Sequence, residues 1–204
     1  MANQQGVDVS LVDLLYQSLE TELGAIRIYR EAIDCAASEE LRKEWMRYLS
    51  ETRRHERVLL ALFKSMGMDP THATSGRTAV ASVSDALVKA MRQAREAASS
   101  AHAELVACDC VVLAETKSRA NWELLGHIAA YGGEQHSRML RVALEDVEHD
   151  DVHPLFHTRD WMRELWLYAL GFAAILPPPG DLWRVRDGSE RAQPSALQMH
   201  GQFL

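Results

Sequence analysis

Apolar residues recur at steps of three and four over long stretches of this chain, and nowhere do they alternate convincingly with period two. Pro and Gly are scarce over residues 10–65 and 84–153. The pattern predicts an all-α chain. A first helix is expected after Ser10, a good N-cap, with the stripe Leu11, Leu15, Leu19, Ile26, Tyr29 and Ile33. Glu22 fills the gap in that stripe. A second helix starts near Ser38, where Glu39 and Glu40 suit the positive helix end. Its stripe runs Leu41, Trp45, Tyr48, Thr52, His55, Leu59, Leu62 and Met66, and Gly67 and Pro70 end it. A polar connector over residues 71–84 leads to an amphipathic crossover helix that can run on into the next one. A third long helix covers about residues 101–130, with Leu105, Cys108, Val112, Glu115, Trp122 and Ala129 on one stripe. A fourth begins near Gln135 and carries Met139, Val142, Asp146, His149 and His153; Pro154 ends or kinks it. A fifth follows from Thr158 and stops at the three prolines 177–179.

The pattern repeats. Glu22 is followed at seven residues by Tyr29, and Glu115 at seven by Trp122. Glu51 lies 29 residues after Glu22, and Glu145 lies 30 after Glu115. The segment ETRRHE from Glu51 then answers EDVEHD from Glu145. Each half offers a lone Glu on one helix and a Glu/His pair, four residues apart, on the next. Two such hairpins can pack as a four-helix bundle with pseudo-twofold symmetry. Glu22 and Glu115 then fall on stripes that face the core. A buried, unpaired carboxylate is costly or takes up a proton, so acids and imidazoles converging there call for positive charge. Two divalent metal ions would supply it, and bundle cores hold such sites. Tyr29 and Trp122 read as core fillers. His127 and His136 read as exposed, His153 as a helix-end residue, and His72, His102, His157 and His200 form no pattern.

Residues 10–153 resemble the ferritin-like superfamily of di-iron or di-manganese carboxylate proteins. The stretches that carry the resemblance are ETELGAIRIY, SETRRHE, Glu115 to Trp122, and LEDVEHDD. ELGAIRIYREAI is similar to the first helix of rubrerythrins and demethoxyubiquinone hydroxylases. Residues 38–70 are similar to the second helix of bacterial stress-associated ferritin-like proteins. The resemblance implies Glu22 and Glu115 as terminal carboxylate ligands and His55 and His149 as imidazole ligands of two iron (or manganese) ions. It also implies a bridging carboxylate three residues before each His. That place holds Thr52 in one half and Asp146 in the other, while Glu51 and Glu145 stand one residue earlier. Four residues span about 400° of helix, so Glu51 and Glu145 still share a face with their histidines.

The expected organisation is a ferritin-like helical domain over residues 10–176. Its halves are 10–68 and 101–153, with a crossover at 71–100, an extra C-terminal helix at 158–176 and an extended tail over 177–204. The expected function is that of a di-metal carboxylate protein with O₂- or peroxide-dependent oxidase or oxygenase chemistry. The alternatives are a metal-storage or stress protein, a metal-free structural or partner-binding bundle, and a membrane-surface hydroxylase. The last would use the apolar run at 165–176, although the connector at 71–84 is polar.

Composition narrows the partners. A net charge of −7 with no basic surface run beyond RRHER argues against nucleic acid. The 12-residue run at 165–176 is too short to span a bilayer, and the polar first ten residues hold no secretory h-region. Three cysteines, Cys35, Cys108 and Cys110, form no disulfide framework and read as small buried hydrophobes in a cytoplasmic protein. Trp161, Trp166, Tyr168 and Phe172 on the last helix ask for cover, which suggests either a homodimer or packing of that helix on its own bundle.

Overall fold

A computed structural model describes residues 2–97, 99–147 and 153–178; the side chains of 2–9, 135, 136 and 153 lie outside the description. Those residues form six α-helices and no strand: α1 (Ala2–Cys35), α2 (Glu39–Ser65), α3 (Ser75–Ala97), α4 (Ser100–Tyr131), α5 (Glu134–Glu145) and α6 (His153–Ala169). The chain is therefore all-α over its described part.

Local chemistry explains most of the boundaries. Ser38 caps α2 by accepting the Leu41 N–H, as its place before two glutamates predicts. At the other end Gly67, with φ +65°, donates to the Lys64 carbonyl, and Met68 donates to that of Phe63. This is a Schellman stop, which needs the left-handed conformation that glycine adopts without cost. Leu170, Gly171 and Phe172 end α6 the same way, with Gly171 at φ +79°. The last helix thus stops before the prolines and is shorter than the apolar run suggests.

Three helix starts differ from expectation. α1 begins well before Ser10, which is an exposed helical residue rather than a cap. α3 begins inside the polar connector, at Ser75, because Thr74 accepts the Arg77 N–H and so caps it. Ser99 separates α3 from α4 as the N-cap of the latter. α6 begins at His153, with Pro154 in its first turn, where a missing N–H costs nothing. Thr158 is not a cap but a fully buried helical residue.

Side-chain pairs give the directions. Glu22 faces His55 and Tyr29 faces Tyr48, so α1 and α2 are antiparallel. Thr21 meets Asn121 and Tyr29 meets Glu115, so α4 is antiparallel to α1. Glu20 meets Arg77 and Glu31 meets Arg92, so α3 runs parallel to α1 and carries the chain back to the far end. α5 returns along the end of α4, where Ser137 donates to the Ile128 carbonyl. α6 continues in the same direction along the start of α4. There Phe156 stacks under Arg119, and Trp161 and Leu165 join the cluster around Cys108. The segment expected as an extra helix thus packs on α4 beyond the end of α5. Trp161 is buried, whereas Trp166, Tyr168 and Phe172 are exposed.

The core has two apolar clusters. One gathers Ile28, Tyr29, Trp45, Tyr48, Cys108, Val111 and Trp161. The other gathers Leu15, Leu19, Leu59, Phe63, Trp122, Leu125 and Leu140. Along α1, α2 and α4 the handover between clusters falls at one level, which polar residues occupy.

Candidate functional site

That level forms a buried polar belt. It contains Glu22 from α1, Thr52 and His55 from α2, and Glu115, Ser118 and Asn121 from α4, each at most 9% exposed. The helical stripes place them there, since each falls on the inward face between apolar neighbours. Glu22 Oε1 accepts from Ser118 Oγ at 2.7 Å and from Trp122 Nε1 at 3.1 Å. Its other oxygen lies 3.6 Å from His55 Nδ1. The His55 ring meets Trp122 edge to face, with centroids 5.5 Å apart, so the imidazole and the indole hold each other against the carboxylate. Glu115 accepts from the Tyr29 hydroxyl at 2.7 Å. Burial and the adjacent Glu115 push the Tyr29 phenol well above its ordinary value, which keeps it a donor.

A second polar line leads off the belt. Tyr48 contacts Tyr29 ring to ring, and its hydroxyl lies 3.0 Å from His157 Nδ1 on α6. Burial raises the Tyr48 phenol too. Tyr29 and Trp122 are core fillers as expected, but their polar ends also serve the two acids.

The surroundings of Glu22 differ from those of the other buried acids. Glu20 pairs with Arg27 and Arg77, and Glu31 with Arg92 and Arg95. Glu104 accepts the backbone N–H groups of Ala37 and Ser38, which ties α4 to the α1–α2 turn. Those three acids have structural partners. Among the described residues Glu22 has two neutral donors and one imidazole.

Of the residues predicted for a metal site, Glu22 and His55 lie together, and Glu115 lies in the same belt. Glu51 sits at its edge with its side chain 26% exposed, 3.9 Å from Arg47. Burial raises its carboxyl against the pull of Arg47 and His55. The inward position belongs to Thr52, whose hydroxyl donates to the Tyr48 carbonyl of its own helix. The 100° step from 51 to 52 decides this. Glu145 and Asp146 are not brought to the belt. α5 ends there, Asp146 is its C-cap, and both are exposed. The acids at 145, 146, 148, 150 and 151 disfavour an unbroken helix, since like charges three and four apart repel. His149 lies outside the described residues; α2 runs unbroken through His55, while its counterpart stops at Glu145.

The donors are hard oxygens and a borderline imidazole nitrogen, the chemistry that iron, manganese and zinc accept. In that sense the belt fits such an ion, with Glu22, His55 and Glu115 as the residues to hold it. Among the described residues, however, no three His, Cys, Asp or Glu side chains form a closed cage. The cysteines take no part: all three are free and buried in apolar surroundings.

Ser118, Tyr48 and His157 were not among the site residues that the sequence offered. Ser118 stands three residues after Glu115 and four before Trp122, so its place on the polar stripe was visible. His157 shares a helix face with Trp161 and Glu164, but nothing in the sequence pairs it with Tyr48. The chain matches no protein-family model, no curated protein and no solved structure.

Proposed function

We propose that the polar belt is a metal centre, and that the chain is a ferritin-like protein that holds iron or manganese between carboxylates and imidazoles. The observation that carries this reading is Glu22. It is 2% exposed, and among the described residues no arginine or lysine reaches it. An apolar residue of similar size would be cheaper to bury, and replacing buried ionic groups in this way is often neutral or stabilising. A buried polar belt across three helices, with an acid on two of them and an imidazole on the third, therefore points to a use.

In this reading Glu22, His55 and Glu115 hold metal, and the resemblance adds His149 as a second imidazole. Bound iron or manganese supplies redox chemistry toward O₂ or peroxide. Ser118 and Trp122 orient the Glu22 carboxylate, Tyr29 orients that of Glu115, and the flanking apolar clusters exclude water.

A second reading has one observation in its favour: the Ser118 and Trp122 bonds already satisfy one oxygen of Glu22. On that reading the belt is a metal-free network that specifies helix register. Anaerobic calorimetric titration with Fe(II) or Mn(II) separates the two. The metal reading predicts saturable binding that Glu22→Gln weakens at least tenfold. Heats equal to dilution, or binding unchanged in Glu22→Gln, would leave the structural network.

A further inference from the structure

The wedge between α3 and α4 lies outside the belt. α3 sits tightly on α1 at two glycines. A Cβ at position 24 would lie 2.1 Å from Ser84 Oγ, and one at 76 would lie 2.7 Å from Gln17 Nε2. α3 and α4 meet at Leu87, whose carbonyl is 3.6 Å from Cys110 Sγ. Short of that point they leave a cleft of about 570 Å³. This is within the range of roughly 300–1,000 Å³ usual for small-molecule sites. Val83 and Leu113 form its lips and are apolar yet 61% and 59% exposed. Thr21 and Ser84 line it too, but their hydroxyls donate to the Gln17 and Val80 carbonyls of their own helices. Apart from Gln17 and Lys117 the lining is apolar in effect.

One cation stands on the rim. Lys117 Nζ donates to Asn121 Oδ1 at 2.8 Å, and no carboxylate among the described residues reaches it. Asn121 is 1% exposed and donates in turn to Thr21 Oγ1 at 3.0 Å, so the ammonium is held in place. Asp13, the acid at the Gly76 end, is engaged by Gln17 and Thr74. An ammonium has three donors, and one is used.

We propose that this cleft binds a medium-chain aliphatic carboxylate, with its head on Lys117 and its chain between Val83 and Leu113 toward Leu87. The two free ammonium donors match the two carboxylate oxygens. About two helical turns, roughly 10 Å, separate the level of Lys117 from that of Cys110, which suits a medium chain. The proposal does not depend on a metal in the belt.

Calorimetric titration of the full chain with decanoate below its micelle concentration tests it, with acetate as the control. Wild type binds one decanoate per chain and no acetate. Lys117→Gln weakens decanoate about tenfold. Lys117→Arg, which keeps the charge, restores most of the affinity, and Leu113→Glu abolishes binding. Positions 113 and 117 are exposed, and unchanged helicity and melting confirm that the variants fold. Absence of decanoate binding by wild type would overturn the proposal. So would binding that neither Lys117→Gln nor Leu113→Glu changes, which would place the ligand on another apolar surface, such as that around Phe172.

Discussion

Glu104 and Glu22 are both almost fully buried, yet they answer different needs. Glu104 accepts two backbone N–H groups at a helix entrance, a stabilising arrangement for a carboxylate. Glu22 rests on a serine, an indole and an imidazole. Trp122→Phe replaces the indole with a smaller aromatic ring and removes one donor to a buried acid. It should cost about 2 kcal/mol in urea unfolding of the metal-free protein; a loss below about 0.5 kcal/mol would mean that the bond carries no weight. The cysteines give a test by pH. Burial pushes the thiols of Cys35 and Cys110 to about 11 and raises that of Cys108 as well. Iodoacetamide at pH 8 should therefore leave the native protein unlabelled and label all three in denaturant. The sign for stability follows from the same shifts. Below pH 9 both states keep these protons; above it the unfolded chain releases them first, so stability falls as pH rises from 9 toward about 11. The inward acids, His55 and Cys108 were legible as stripe positions in the sequence. Thr52 was legible inside in the same way, but that Glu51 stays at the edge instead of joining it was not. It turns on a single 100° step between adjacent residues, and a stripe of apolar neighbours is wider than that step.

At the scale of elements, glycine sets how closely helices approach. Gly24 lets Ser84 of α3 rest against the α1 backbone. Gly24→Ala, usually favourable in a helix, should here destabilise by about 1–3 kcal/mol through overpacking. Adding Ser84→Gly should recover most of that loss relative to Ser84→Gly alone, and a thermal melt of the four proteins reads the coupling. Additive effects would show that the two helices are not in contact there. Ser38 and Gly67 announced the ends of α2 because capping is local chemistry. The start of α3 was missed because Thr74 was read as part of a polar linker rather than as a cap. The last helix starts at His153 rather than at Thr158. Trp161 and Leu165 pack on α4, so the segment after Pro154 belongs to the core and not to an added layer.

Over the whole molecule, two apolar clusters meet at a polar level that spans three helices. A uniform apolar core would have packed without it. No helix among the described residues is long and apolar enough to cross a membrane, and the exposed apolar residues gather at the end of α6, where Tyr168, Leu170 and Phe172 stand out. The all-α class was legible from periodicity alone. The inward places of Glu22 and Glu115 were legible from the repeat, because each acid interrupts its stripe seven residues before an aromatic. The departure of the second half from the first was not, since it follows from how a run of acids ends α5. The account rests on metal in the belt. Its most direct test is the metal content of the full chain, loaded with Fe(II) or Mn(II) without oxygen, gel-filtered into metal-free buffer and counted by mass spectrometry. The proposed metal centre predicts at least one ion per chain in wild type and a loss of most of it in Glu22→Gln and Glu115→Gln. Wild-type protein that leaves the column with no more metal than these variants would contradict it.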